Sequence, residues 1–444
     1  MIRLMSRTKH RAAAGLALVI AAGLGLALAT PRSADAQRVD PRKPAVFVVG
    51  APGGASPTLR GDARRSGTTK DVLPSGVLRI AWRKTIGLQV DQAALVGPDG
   101  MLAVVTAARG DVIFFDADGD EKGRVTAGSA AVGPATMTSD GTVVFTSSGG
   151  DAIGVKRASA RPRFVTRIGG ERNVRAAPLS LDDGGVVVAT ATDLVVLDSE
   201  GNVRGRVTLP ESPASALIAS GDKIIAVTSS GAVHGWTPGR EPVRLGSFGA
   251  PIDGGAALGD ANTLLAVIEG NHLVELDLTR GARSSRSIAA QGLYLGPPSA
   301  RASGGTTLAT LLALTTTRAF VVTLDQGGQE TGRAPIATFT PGTLPDGGPM
   351  PLVAPAHTGP LVDPRGAVAF AAPDGHVGVI GPDGAVDTIG ELICTRTGGR
   401  PGVAGLTGMG RGAFVVTCES GALAKIVGPE AESLRPSSGR PQGP

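Results

Sequence analysis

The side chains best suited to metal or redox chemistry in this 444-residue chain are two cysteines and a few histidines. Cys394 and Cys418 are the only cysteines, and no histidine lies near either of them in the sequence. No two histidines have the spacing of a metal-ligand pair, so the sequence predicts neither a catalytic cysteine nor a metal site. Three histidines recur just after turns and would meet if those turns shared one face, with ordinary surface or turn histidines as the alternative: His234, His272 and His376.

An acidic run at Asp116–Asp120 imitates the start of a calcium-binding loop. An EF-hand loop needs glycine at its sixth position and a carboxylate at its twelfth, whereas this chain has Glu121 and Ala127 there. We interpret the run as a tight turn between two strands.

Other chemical motifs are missing from the sequence. It contains no Gly-x-Ser-x-Gly elbow and no phosphate-binding loop. Arg60-Gly61-Asp62 spells an adhesion tripeptide, which we interpret as a chance match. The sequence therefore predicts no catalytic residue, no cofactor-binding residue and no cofactor, and it leaves the binding surface unassigned.

The sequence contains a repeated unit, and the strands of this unit must position any functional site. Each unit reads as a short strand, a turn that often contains Asp-Gly, a valine-rich strand and then two further segments; Asp-Gly supplies the positive φ angles of a tight hairpin. The first turns recur about every 45 residues, a period that with four strands per unit is typical of a β-propeller blade. They fall at Gly100, Gly141, Gly184, Gly221, Gly259, Gly304, Gly366 and Gly412. We predict an all-β, eight-bladed propeller, with seven blades as the alternative because the sixth repeat is weak.

The propeller domain is expected at residues 76–428, and its ring must be closed. The last unit offers only three strands before a tail, 429–444, that we expect to be disordered. An orphan strand, Val77–Lys84, precedes the first unit. We predict that it forms the outer strand of the eighth blade, with Trp82 packed there, since this splice removes exposed sheet edges.

Two segments lie outside the repeat. Residues 37–75 are expected to form an irregular lead-in. Residues 341–360 contain six prolines and four glycines and interrupt the period, so they predict a long loop. Such a loop is a candidate binding site, with a tolerated surface insertion as the alternative.

Residues 1–36 have the three parts of an export signal: a basic start, the apolar run Ala12–Ala29 and the small-residue site Ala34–Ala36. A membrane-spanning helix is the alternative. Most of the net charge of +5 lies in this segment, so the mature chain lacks the basic surplus of a nucleic-acid binder. We predict a cleaved signal peptide and a periplasmic or secreted monomer with no membrane span after cleavage.

An oxidising compartment changes the expectation for the two cysteines. Cys394 and Cys418 both lie in strand-like segments, and two cysteines in an exported chain favour one disulfide between them. Two buried free thiols are the alternative.

The lead-in Leu59–Gly67, the strand Ile80–Arg83 and the turn Phe114–Gly119 resemble the quinoprotein-type (PQQ-like) propeller repeat. This family includes quinone-dependent dehydrogenases and outer-membrane assembly factor B-like proteins. The resemblance covers nearly all of Leu59–Val427. For the dehydrogenases it implies a quinone cofactor with calcium.

The chain departs from the catalytic members of that family. Their blades usually carry a tryptophan after the turn, where this chain has Arg124-Val125 and Arg204-Gly205. The dehydrogenases also use an adjacent cysteine pair, which is missing here. We therefore predict an exported non-catalytic propeller that acts as a protein-binding or scaffold module, with a role in cell-envelope assembly suggested by the resemblance. Its partners would be other envelope or secreted proteins, and the alternative is a PQQ-dependent oxidoreductase.

Overall fold

The computed structural model describes residues 56–429 except 170–175, 260–262, 281–282, 288–292, 304–305, 316, 339–358, 374 and 395–401. The predicted signal peptide, nearly all of the predicted 341–360 loop and residues 430–444 of the predicted tail lie outside these residues. The described chain is all-β, with eight four-stranded antiparallel sheets. None of its described residues forms a long apolar helix of the kind that spans a membrane.

The strands follow the predicted repeat. The chain begins with β1 (Arg79–Thr85), which belongs to the last blade. Blade 1 is β2 (Leu95–Val96), β3 (Leu102–Val105), β4 (Asp111–Phe115) and β5 (Glu121–Thr126); blade 2 is β6 (Ala131–Met137), β7 (Val143–Ser147), β8 (Asp151–Val155) and β9 (Phe164–Arg167). Blade 3 is β10 (Leu179–Ser180), β11 (Val186–Ala189), β12 (Asp193–Leu197) and β13 (Val203–Thr208); blade 4 is β14 (Ile218–Ser220), β15 (Lys223–Val227), β16 (Ala232–Trp236) and β17 (Val243–Ser247).

The second half repeats the pattern. Blade 5 is β18 (Ile252–Leu258), β19 (Thr263–Ile268), β20 (His272–Asp277) and β21 (Arg283–Ser287); blade 6 is β22 (Leu293–Ser303), β23 (Thr306–Leu314), β24 (Arg318–Leu324) and β25 (Glu330–Thr338). Blade 7 is β26 (Leu361–Val362), β27 (Val368–Ala371), β28 (Val377–Ile380) and β29 (Val386–Thr388); blade 8 is β30 (Val403–Gly410), β31 (Ala413–Cys418), β32 (Ala422–Val427) and β1.

Blade 8 closes the ring with a strand from the other end of the chain. β1 pairs antiparallel with β32, so that Arg79 lies opposite Val427 and Thr85 opposite Ala422. The predicted eight-bladed propeller and its closing strand are confirmed, and the seven-bladed alternative is wrong. The weak sixth repeat is a complete blade whose inner strand contains a bulge between Leu295 and Ser299, which disturbs the sequence pattern.

Turn chemistry and burial explain why this sequence forms blades. The middle strands are almost wholly buried, as in β11 and β27, because both sheet faces pack against neighbouring blades. The outer strands alternate between exposed and half-buried residues, as in β1. Six glycines predicted for first turns have φ between 60° and 96°, as tight hairpins require: Gly100, Gly141, Gly184, Gly221, Gly366 and Gly412.

Aromatic side chains on two outer strands dock onto glycine turns of the next blade. Trp82 of β1 donates from Nε1 to the carbonyl oxygen of Ala117 at 3.0 Å. Its indole covers Gly119, where an added Cβ would come within 2.8 Å of the ring. Phe164 of β9 covers Gly201 of blade 3 in the same way. Trp82 therefore packs where the sequence predicted, and it joins blade 8 to blade 1.

The two cysteines meet beside the junction of blades 7 and 8. Cys394 follows β29 and Cys418 ends β31. Their sulfur atoms lie 1.99 Å apart and their Cα atoms 5.3 Å apart. Both side chains belong to the core cluster shared by these two blades, so a bond between them ties the connection between blades to a central strand of blade 8.

Candidate functional site at the propeller axis

The first strand of each blade lies on the inside of the ring. β2 contacts β6 and β30, the first strands of its two neighbours, and β26 contacts β22 and β30. The first and fourth strands are the two edges of every sheet. The first strands therefore surround the axis, and each has one edge whose backbone groups need partners.

A segment of the lead-in, residues 56–69, supplies those partners; we call it the axial segment. Six inner-strand amides donate to its carbonyl oxygens at 2.6–3.0 Å. The donors are Val96, Met137, Ala219, Leu258, Ala300 and Val362, and the acceptors are Ser56, Pro57, Ala63, Arg64, Ser66 and Gly67 in the same order. These donors lie on blades 1, 2, 4, 5, 6 and 7. The axial segment therefore makes one circuit around the axis in blade order.

Arg65 connects the axial segment to blades 3 and 4. Its side chain is 1 % exposed. Nε donates to the carbonyl oxygen of Leu217 at 2.9 Å and Nη2 to that of Pro178 at 2.7 Å. Nη1 donates to the hydroxyl of Thr58 within the segment. The guanidinium thus satisfies one inner-ring carbonyl group beside each of these two blades.

Arg60 makes the corresponding contacts with blade 6. Its Nη2 donates to the carbonyl oxygen of Pro298 at 2.7 Å and to the hydroxyl of Ser299 at 2.9 Å. The Ser299 hydroxyl donates in turn to the carbonyl oxygen of Pro360, ahead of blade 7. The circuit ends at Thr69, which packs against Gly408 of blade 8.

The axial segment is tightly wound and positively charged. Arg60 and Arg65 both have positive φ, 61° and 54°, which non-glycine residues rarely adopt. Burial lowers the pKa of each guanidinium to about 10, with the negative charge of Asp62 acting against that shift. Asp62 itself accepts hydrogen bonds from the amide and hydroxyl of Ser66 at 3.0 and 2.8 Å. No described carboxylate forms an ion pair with either arginine.

A cavity of about 190 Å³ lies against the axial segment. One side is formed by Leu59, Arg60 and Arg65. The other side is formed by residues 214–216, which precede β14 of blade 4, by Ile252 and residues 254–256 of β18, and by Pro297 of β22. The cavity therefore sits on the axis between the axial segment and one face of the disc.

The residues singled out from the sequence do not gather at the axis. His234 lies within β16, His272 begins β20 and His376 immediately precedes β28, so each occupies the third strand region of a separate blade rather than the inner ring. The idea that they meet at one site receives no support from these positions. His357 lies outside the described residues.

The acidic run forms a turn between β4 and β5. Asp116 accepts hydrogen bonds at its carboxylate from the amides of Asp118 and Asp120 at 3.0 and 2.9 Å, and Lys122 forms an ion pair with it at 2.8 Å. Among the residues that the structure describes, no cluster of three or more histidine, cysteine or acidic side chains is arranged to hold a metal.

Sequence reasoning missed the axial role of the lead-in. Residues 56–69 contain no regular strand, and most of them are buried. Arg60-Gly61-Asp62 is part of this segment, so the tripeptide is not displayed on a loop tip. One sequence signal could have indicated this role. The motif Leu59–Gly67 resembles the propeller family although it lies outside the repeated units.

The comparisons with known proteins support the fold. No model of a protein family matches the sequence, and no curated protein does either. Among solved structures, BamB from Moraxella catarrhalis is similar with a TM-score of 0.55 at 16% identity, covering 79% of this chain and 98% of that one. The computationally designed protein Ika8 has a TM-score of 0.54 at 14% identity, covering 77% and 99%.

A quinohemoprotein alcohol dehydrogenase from Comamonas testosteroni is also similar, with a TM-score of 0.58 at 12% identity, covering 84% of this chain and 80% of that one. Identities this low show the shared fold alone. The chain therefore has the eight-bladed architecture found in BamB and in quinoprotein dehydrogenases, which confirms the resemblance inferred from its motifs at the level of the fold.

Proposed function

We propose that the mature chain is an exported, non-catalytic propeller that binds other proteins of the cell envelope as a scaffold module. The observation that supports this most is the axial segment, because it fills the centre of the ring with the chain's own backbone. The surfaces left for recognition are the turns on the two disc faces and the outer strands. A broad rigid disc with exposed turns suits protein binding.

The quinone cofactor and calcium of the dehydrogenases do not fit the residues present. The axis is occupied by residues 56–69, and the cavity beside them measures about 190 Å³, below the roughly 300–1,000 Å³ of typical small-molecule sites. The sulfur atoms of Cys394 and Cys418 lie 1.99 Å apart beside the junction of blades 7 and 8, and the two cysteines are 24 residues apart in the sequence, so they do not form an adjacent pair. These features favour the scaffold over the oxidoreductase.

A thermal titration separates the two functions. The purified mature chain would be heated with PQQ and Ca²⁺ together and with each alone. We expect no melting shift that requires both, since a ligand that binds only the native state must stabilise it. A saturable shift that needs both components would overturn the proposal.

Photo-crosslinking in cells tests the binding role directly. A crosslinking amino acid would replace one exposed residue on each disc face and one on the rim: Ala108 in the β3–β4 turn, Asp99 in the β2–β3 turn and Val165 on β9. We expect a defined protein adduct from one surface and none from the others. Adducts from no position, or the same faint pattern from all three, would contradict a specific scaffold.

A further inference from the structure

The charged residues that line the axial cavity are all positive. Its lining includes Arg60 and Arg65 but no acidic residue. Each arginine is at least nine-tenths buried. A buried cation is costly unless its charge is compensated, and the partners of these two within the fold are neutral carbonyl and hydroxyl groups.

The one carboxylate nearby compensates them only in part. Asp62 uses both oxygens for Ser66, so it acts on the arginines through space rather than by direct contact. Two positive charges face one negative charge in this part of the axis. In addition, Nη1 of Arg60 has no hydrogen-bond partner among the described residues, which leaves donor capacity on a buried guanidinium.

The wall of the cavity that faces the arginines leaves space for a small ligand. It consists largely of small residues, among them Ser215, Ala216, Gly254 and Gly255. The two glycines have φ of 77° and 125°, at a bulge that widens β18. Ala214 at the edge is exposed, so the cavity is open to solvent. Its volume of about 190 Å³ equals roughly six water molecules.

We propose that the axial cavity binds a small oxyanion, a carboxylate or phosphate compound, through Arg60 and Arg65. Nε and Nη2 of Arg60 already donate within the fold, so Nη1 is the donor left for an oxygen of such a group. Arg65 contributes its positive charge, and the anion adds negative charge to that of Asp62. The site is separate from the protein-binding surfaces, and it stands whether or not the chain acts as a scaffold.

Calorimetry and melting curves with defined probes test the site. The mature chain would be titrated with inorganic phosphate, acetate and citrate, against chloride at equal ionic strength. We expect saturable binding and a rise in melting temperature for at least one probe. The pattern across the probes separates phosphate from carboxylate recognition. Equal melting temperatures in all four salts would overturn the proposal.

A cavity-filling variant locates the binding without touching the arginines. Ala216→Leu narrows the cavity, and Ala385→Leu adds the same side chain to an exposed turn of blade 7. We expect Ala216→Leu to weaken binding of the anion at least tenfold and Ala385→Leu to leave it unchanged. Unchanged affinity in Ala216→Leu would place the anion elsewhere and overturn the proposal.

The arginines are tested by Arg60→Gln, which removes the charge but keeps a donor. We expect it to abolish the saturable melting shift. Should this variant fail to fold, Arg60→Lys retains the charge while losing the free Nη1 donor, and we expect at least tenfold weaker binding. Wild-type affinity in a folded Arg60→Gln protein would overturn the assignment.

Discussion

The Nη2 atom of Arg65 lies 2.7 Å from the carbonyl oxygen of Pro178, 113 residues later in the chain. Its Nε contacts Leu217 on the next blade. A residue that precedes every strand of the propeller is thus one of its most buried groups. The lead-in and the ring therefore form one structure, and the stability of the inner strands depends on residues 56–69.

Replacing Arg65 with leucine should destabilise the ring strongly. Arg65→Leu leaves the carbonyl groups of Pro178 and Leu217 buried without donors, and each such loss costs about 1–3 kcal/mol. We expect a fall of about 2–6 kcal/mol in the free energy of unfolding, measured by urea denaturation. The exposed Arg161 is the matched control, and Arg161→Leu should change stability by less than about 0.5 kcal/mol. Similar effects of the two variants would refute the structural role of Arg65.

Because Trp82 docks onto Gly119, replacing this glycine with alanine should reduce the free energy of unfolding more than the same change in an open turn. Gly119 and Gly100 both lie in turns, with φ of 83° and 75°. An added Cβ at Gly119 meets the indole, whereas nothing lies within 4 Å of one at Gly100. Gly100→Ala should therefore cost about 1–2 kcal/mol from backbone strain alone, and Gly119→Ala should cost more.

A double-mutant cycle isolates that contact. In a Trp82→Ala background, we expect Gly119→Ala to cost no more than Gly100→Ala, because the clashing ring is gone. The free energies of unfolding of the wild type, the two single variants and the double variant, with Gly100→Ala as the reference, measure this. An unchanged cost of Gly119→Ala in both backgrounds would show that the ring does not dock there.

The repeat was predictable because its signals are local. Asp-Gly turns and valine-rich strands recur within a few residues of one another, and they gave the blade count and the closing strand. Burial on both faces of each middle strand, as in β11, follows from the same composition.

The inner ring and the axial segment were not predictable in this way. β2, β10 and β26 contain two residues each, too few for any periodicity. The conformation of residues 56–69 is imposed by contacts with blades that come later in the sequence, so its strained arginines carry no local signal. The histidines show that a local signal can also mislead. His234, His272 and His376 all follow turns in the sequence, but they lie in three separate blades.

A disulfide bond between Cys394 and Cys418 would make the stability of the fold depend on redox conditions. We propose that it forms in the exported protein, where intact mass under non-reducing conditions would be 2 Da below the dithiol. Closing a loop of 24 residues' separation stabilises a fold by about 3 kcal/mol in the chain-entropy model. The paired variant Cys394→Ser with Cys418→Ser should lose a comparable amount. Two titratable thiols in the unreduced, unfolded protein would contradict the bond.

We expect the contact between blades 2 and 3 at Asp140 to stabilise the fold less at acidic pH. Burial alone would raise the pKa of Asp140, but hydrogen bonds from two threonines, Arg163 and Lys156 outweigh it and hold the pKa well below its usual range. Arg163 also contacts Glu200 of blade 3 at 2.5 Å. A lowered carboxylate pKa stabilises the fold above the unfolded value of 3.8, and this contribution is lost as the pH falls toward the folded value.

Asp140→Asn should therefore be less stable than the wild type at pH 7, and the difference should shrink as the pH falls below about 4. Urea denaturation from pH 7 to pH 2 measures it. Asp222→Asn changes an exposed aspartate in the β14–β15 turn and should run parallel to the wild type. A difference that stays constant with pH would show that the charge of Asp140 is not the cause.

The most direct test of the axial segment is hydrogen exchange in two truncated chains, one lacking residues 37–55 and one lacking residues 37–69. Only the second removes the acceptors of the inner-strand amides of Val96, Ala219, Leu258 and Val362. We predict that peptides containing these amides exchange about tenfold faster or more in the second chain, while the middle strands β11 and β31 keep their protection. Equal exchange of the inner strands in both chains would contradict a propeller whose axis is filled by its own lead-in.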